Sequence, residues 1–209
     1  MKIIDWTFYL VADSAFRRGR DFLRALEEAA EGGATVVQIR GKNIGAGELF
    51  TLASAAVSLL EPHGIPVIVN DRADIARACG AGGVHLGRDD LPIEAARKIL
   101  GSGSVIGLSV NTVEEAQEAE RLGADYIGLG PVYATTTKDT PLPVLGPEGV
   151  ARVKAAVGIP VVAIGGLNAE NVAAIMKAGA DGAAVVSSVW GAPDVLASAR
   201  KLRAALRSV

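Results

Sequence analysis

A chain of 209 residues, half of them hydrophobic, has enough apolar side chain for one full core, and a single domain over 1–209 is expected. A formal charge of −2, with lysine and arginine dispersed, excludes the electrostatic footprint of a nucleic-acid or anionic-membrane binder and leaves small molecules as the expected partners. The lone cysteine, Cys79, rules out an intrachain disulfide and suits a reducing, cytoplasmic setting. The opening "MKIIDWTFYLVAD" has no signal-peptide layout, and no stretch of eighteen apolar residues occurs, so a soluble, unprocessed protein is expected.

In chain order, eight short β-rich runs recur: "WTFYLVA", "TVVQIR", "PVIVN", "GVHLG", "SVIGLSV", "YIGLGPV", "PVVAIGG" and "GAAVVSS". Each is followed by a segment such as "RRGRDFLRALEEAAEGG", with apolar residues at three- and four-residue spacing and glycine near its end, the pattern of a capped amphipathic helix. Continuous apolar strands alternating with helices imply a parallel sheet covered by helices, and eight such units close a barrel. The expected fold is α/β, a (β/α)8 TIM barrel; a doubly wound open sheet is the alternative, with two edges left to protect.

Barrels of this kind place chemistry at the C-terminal strand ends. The second strand ends in Gln38, Arg40 and Lys42, the third in Asn70 and Asp71, and the loop after the fourth carries Asp89 and Asp90. Asp71 and Asp90 follow neighbouring strands, about 5 Å apart in a sheet, so both carboxylates can reach one hard cation. Magnesium fits that pair, since it accepts a few carboxylates and completes its shell with water and phosphate oxygens. Helix capping is the alternative use of both aspartates. Arg40, Lys42 and Lys138 add the positive charge that a diphosphate requires.

The fifth strand ends near Ser109 and Asn111. The seventh and eighth end in Gly165 and Gly166 and in Ser187 and Ser188. There Gly166, Val186 and Ser187 are candidates for a second anion site built from backbone N–H groups. The sixth strand leads into "VYATTTKDTPLPVLG", Val132 to Gly146, far longer than the two to six residues typical of such connections and without helical or strand pattern. A functional lid is expected, with threonine hydroxyls and Lys138 over the substrate. His85, His63 and Cys79 are read as structural. "GSGSVIG" misses the dinucleotide spacing and no P-loop occurs, so neither NAD nor ATP is expected.

These pieces, "QIRGK", "NDR", "GVHLGRDDLP", "GLGPVYATTTK", "AIGGL" and "VVSS", stand in an order and spacing that resemble the thiamine phosphate synthase family over nearly the whole chain. The resemblance implies a transferase of thiamine biosynthesis. It joins an aminopyrimidine methyl diphosphate to a thiazole phosphate, with dissociative loss of diphosphate and no protein nucleophile. It implies that Gln38, Arg40, Lys42, Asn70, Ser109 and Lys138 hold the pyrimidine diphosphate, with Arg40, Lys42 and Lys138 neutralising developing charge. Asp71 and Asp90 would carry Mg2+, and Thr135, Thr136, Thr137, Gly166, Val186 and Ser187 would hold the thiazole phosphate. Two positions depart from the family pattern: Gly41 where glutamate is usual, and Asn111 where histidine is common. The related thiazole tautomerases, which look to that histidine, are the nearest rival reading, and a non-catalytic binder of thiamine precursors is the other. The sequence leaves oligomeric state open.

Overall fold

The computed structural model describes residues 4–16, 19–135 and 142–208. The eight apolar runs form eight parallel strands: β1 (Phe8–Asp13), β2 (Val36–Arg40), β3 (Val67–Asn70), β4 (Gly83–Leu86), β5 (Val105–Val110), β6 (Tyr126–Leu129), β7 (Val161–Ile164) and β8 (Gly182–Val185). Each pairs with the next, and β8 returns to β1 in the register Phe8 opposite Ala183 and Leu10 opposite Val185. The sheet is therefore closed, the expected (β/α)8 barrel, and the open-sheet alternative is excluded.

Helices follow each strand: α1 (Phe22–Glu31), α2 (Ala46–Leu60), α3 (Ala73–Ala78), α4 (Ile93–Leu100), α5 (Val113–Arg121), α6 (Gly146–Ala156), α7 (Val172–Lys177) and α8 (Val195–Arg207). Their amphipathic spacing does what the sequence implies. On α1, Phe22, Ala25, Leu26 and Ala29 fall on one buried face, and Asp21 caps the start by accepting the Arg24 N–H. A leucine buried as completely as Leu26 contributes about 2 kcal/mol.

Alternation along each strand divides the core in two. Side chains pointing outward, such as Leu10, Val37, Val69 and Ile127, pack under the helices. Those pointing inward, among them Tyr9, Val36, Ile68, Val105, Tyr126 and Val162, fill the barrel. Trp6, just ahead of β1, lies with its ring 4.3 Å from that of Tyr126 and closes the N-terminal end of this inner core. The inner residues become polar toward the C-terminal ends, with Asp13, Gln38 and Asn70 buried, so the open mouth lies on that side.

Candidate active site

One cavity of about 840 Å³ occupies the C-terminal mouth, and every candidate site residue within the described part of the chain lines it. Thr136, Thr137 and Lys138, the centre of the expected lid, lie outside the described residues. Among the described residues no three metal-ligating side chains cluster, so the acidic donors here are a pair, with Asp89 also on the lining.

That pair is built by local backbone. Asp71 has φ of 65°, the only non-glycine positive φ among the described residues, and the Arg72 N–H donates to the Asn70 C=O across it at 2.8 Å. A hydrogen bond spanning two residues around such a φ is a strained γ-turn, which turns the chain sharply at the end of β3. Asp90 Oδ2 accepts the Gly87 N–H at 2.6 Å in the loop after β4. Burial, then the hydrogen bond to the facing Asp71 carboxyl, raises the Asp90 carboxyl above the ordinary carboxylate range. Lys42 Nζ stands 3.1 Å from Asp71 Oδ2. Neither aspartate caps a helix: α3 starts after Arg72 and α4 after Pro92, both without a side-chain cap.

Arg40 is aimed by a residue that the sequence reading missed. Its Nη1 pairs with Asp13 Oδ2 at the end of β1, and Asp13 Oδ1 accepts the Ala15 N–H at 2.9 Å. Strand register sets Asp13 beside Arg40. An aspartate ending the run "YLVAD" on an inward position was the available signal, but it reads equally as a strand terminator.

Below this layer, Gln38 Nε2 donates to the Tyr9 hydroxyl at 2.9 Å, and His85 Nε2 lies 3.0 Å from Ser109 Oγ. His85, read as structural in the sequence, thus also lines the cavity beside a candidate site residue. His63 is exposed in the 3₁₀ turn Glu61–His63, and Cys79 is half-buried at the end of α3.

On the opposite side, Gly165 and Gly166 take φ of 106° and 64°. A Cβ on Gly165 would sit 2.8 Å from Pro131 Cα, and one on Gly166 would sit 2.4 Å from the Ala134 C=O. Both glycines thus serve a tight turn and a close approach of the long loop. After β8, the chain makes a single helical turn in which the Trp190 N–H donates to the Val186 C=O at 2.7 Å. The helix α8 starts only at Val195.

The long loop is closed at its base. Leu145 and Gly146 N–H groups donate to Pro131 and Val132 C=O at 3.0 Å each, and the Tyr133 N–H donates to the Gly165 C=O at 3.1 Å. Asn111, 4% exposed, donates through Nδ2 to the Gly130 C=O at 3.1 Å and more distantly to the Pro143 C=O. It therefore joins both flanks of the loop. At the other departure, a Cβ on Gly41 would meet the tip of Ile44 at 2.6 Å, so that isoleucine occupies the space a larger residue would need.

The family description "Thiamine monophosphate synthase" matches residues 8–189. Over 199 residues the chain is 47% identical to the thiamine-phosphate synthase of Syntrophomonas wolfei subsp. wolfei, covering 95% of each chain. It is 46% identical over 202 residues to that of Chloroflexus aurantiacus, covering 97% of this chain and 93% of the other. The solved thiamine phosphate pyrophosphorylase from Pyrococcus furiosus superposes with a TM-score of 0.89 at 39% identity, over 98% of this chain and 96% of that one. With the motifs, the barrel and the whole length in agreement, the chain belongs to the thiamine-phosphate synthase family.

Proposed function

We propose that the protein is a thiamine-phosphate synthase, joining 4-amino-2-methyl-5-(diphosphooxymethyl)pyrimidine to 4-methyl-5-(2-phosphooxyethyl)thiazole with release of diphosphate. The observation that carries this reading is a single cavity with cationic and acidic groups, Arg40, Lys42, Asp71 and Asp90, on one side and the glycine turn with Val186 and Ser187 on the other. Two phosphorylated substrates need two such sides. Full-length similarity to thiamine-phosphate synthases supports the same assignment and the transferase class.

Asp71 and Asp90 fit a hard divalent cation, because both offer only oxygen, they face one another, and Asp71 is held against a backbone preference. We assign Mg2+ to them; bound there, it would neutralise charge growing on the departing diphosphate. Arg40 and Lys42 would bind the diphosphate oxygens, with Lys138 in the same role. Gln38, Asn70 and Ser109 would orient the pyrimidine, while Thr135, Thr136, Thr137, Gly166, Val186 and Ser187 would hold the thiazole phosphate.

The chemistry breaks the C–O bond to diphosphate, leaving a pyrimidine-stabilised cation for the thiazole nitrogen to capture. Water must be kept from that cation, and Val11, Val162, Ile164 and Leu142 supply apolar lining for the purpose. Juxtaposition of the two substrates does the rest. A cytoplasmic setting belongs to the same reading, supported by a biosynthetic family and a lone cysteine.

The test is product formation from both substrates with and without Mg2+, read as thiochrome fluorescence. Magnesium-dependent thiamine phosphate that disappears in Asp71→Ala is expected. No product from folded protein and intact substrates would overturn the reading.

A further inference from the structure

Gln38 on β2 and Ser109 on β5 stand on separate strands, yet an unbroken chain of hydrogen bonds joins them across the barrel. Gln38 Nε2 donates to the Tyr9 hydroxyl at 2.9 Å, and the Tyr9 and Tyr126 hydroxyls are 2.8 Å apart. The Tyr126 hydroxyl lies 2.9 Å from His85 Nδ1, and His85 Nε2 lies 3.0 Å from Ser109 Oγ. Tyr9 and Tyr126 are 2% and 0% exposed, so water does not offer alternative partners. Burial also pushes both phenols above the ordinary tyrosine value, and each keeps its one hydrogen.

One hydrogen per phenol gives the chain a direction. Tyr9 accepts from Gln38, so its own hydrogen goes to Tyr126. Tyr126, having accepted, donates to His85 Nδ1. With Nδ1 accepting, the imidazole carries its hydrogen on Nε2, which donates to Ser109 Oγ. Ser109 is left with an O–H to give, and Gln38 with Oε1 to receive. Reversing any one link reverses all of them, and a reversed chain would leave Gln38 with Nε2 hydrogens to give and Ser109 with Oγ to receive.

The strands make room for this chain. Gly107 pairs with Tyr126 in the sheet, and a Cβ on it would fall 2.2 Å from Tyr126 Cζ. Gly128 pairs with Ser109, and a Cβ there would fall 2.8 Å from His85 Cε1. Side chains at either position would displace the phenol or the imidazole.

We propose that this chain sets the hydrogen-bonding polarity of the pyrimidine pocket, with Tyr9, Tyr126 and His85 as positioning residues that select a 4-aminopyrimidine over its 4-oxo counterpart. An aminopyrimidine edge offers an N–H donor beside a ring-nitrogen acceptor, which Gln38 Oε1 and the Ser109 O–H complement. A 4-oxo ring offers the reverse and would meet acceptor with acceptor and donor with donor. The proposal rests on the synthase reading for its substrate but on the hydrogen-bond chain alone for its direction.

Two measurements separate the parts. In 15N-labelled His63→Gln protein, where His85 is the sole histidine, NMR is expected to show hydrogen on Nε2 and none on Nδ1. Hydrogen on Nδ1 would overturn the stated order whatever the enzyme does. The second compares kcat/KM for the pyrimidine diphosphate and its 4-oxo analogue in wild type, Tyr126→Phe and Tyr9→Phe. Each substitution breaks the chain, both losing the Tyr9–Tyr126 link and each one further link, and is expected to lower the amino-to-oxo ratio by about tenfold, the worth of one neutral hydrogen bond. An unchanged ratio in both folded variants would refute the proposal. Absence of any turnover in wild type would instead refute the synthase reading, while the NMR result still decides the order.

Discussion

Asp13→Ala is expected to damage both folding and diphosphate binding, although Asp13 belongs to none of the motifs that carry the family resemblance. The carboxylate is 1% exposed, pairs with Arg40 and accepts the Ala15 N–H. Alanine removes both interactions and leaves the guanidinium, whose side chain is 21% exposed, without its buried partner. Removing one member of a buried pair costs about 3–5 kcal/mol, and the access of Arg40 to the cavity places this case near the lower end, about 3 kcal/mol. The lost Ala15 bond adds about 1 kcal/mol. An Arg40 no longer held toward the mouth would forfeit a charge-assisted bond of about 1.5–3 kcal/mol to diphosphate, raising KM for the pyrimidine substrate about 10- to 100-fold. Urea unfolding followed by tryptophan fluorescence gives the first quantity, and steady-state kinetics with each substrate varied in turn gives the second. The fluorescence is well placed, because Trp190 Nε1 donates to the Asp13 C=O at 2.9 Å. A stability loss below about 1 kcal/mol with KM unchanged would refute the reasoning, as would an equal rise in KM for both substrates.

Asp71→Gly is expected to abolish turnover while unfolding at higher urea than Asp71→Ala, by about 1 kcal/mol, because only glycine accepts φ of 65° without strain; equal stability of the two would contradict the strained-turn account. Asn111→Ala should cost about 1–2 kcal/mol by orphaning the Gly130 C=O and raise KM through a loosened loop base, with the shape of the pH–rate profile unchanged. A changed profile would show Asn111 to be in the acid–base chemistry instead. The folded-state pKa values of Tyr9 and Tyr126 are raised by burial, so their contribution to stability is complete below the unfolded value of about 10 and is lost as pH rises beyond it. Wild type should therefore lose stability above about pH 10 more steeply than Tyr126→Phe, checked by urea unfolding across that range.

The barrel was legible because its two periods are local: apolar runs for strands and three- to four-residue spacing for helices each report on their own segment. The mouth was legible at one remove, since a barrel assigns function to strand ends and the polar residues there stand out of apolar runs. What escaped were groups whose meaning depends on register. Asp13 matters because it falls beside Arg40, and His85 because Gly128 gives its ring space. Tyr9 and Tyr126 look like core aromatics in sequence, and their hydroxyls acquire a role only across the barrel. A signal was present in "VIGLSV" and "YIGLG": glycine inside a strand marks the close approach of a neighbouring group, and both glycines face the hydrogen-bond chain. Asn111 was noticed as a departure from the family pattern, but a single position does not reveal that it spans a loop.

The polar groups of the mouth differ in how firmly they are held, and this bears on how the site would meet its substrate. Lys42 and Asp71 are 50% and 21% exposed, so their ion pair is worth less than about 1 kcal/mol and would exchange readily for the diphosphate and cation proposed above. Arg40 is different: its buried partner Asp13 keeps it aimed before substrate arrives, and the order of the Tyr9–Tyr126–His85 chain is likewise set in advance. Charge that would have to move to admit the proposed metal–diphosphate complex therefore sits at the rim, where rearrangement is cheap. The groups proposed to recognise one ring and to point at one leaving group sit below it, where burial makes any other arrangement leave a polar atom unpaired. The proposed reaction, without a protein nucleophile, would depend on that division, because its rate would rest on where the two substrates are held and on how completely water is kept from the cation between them.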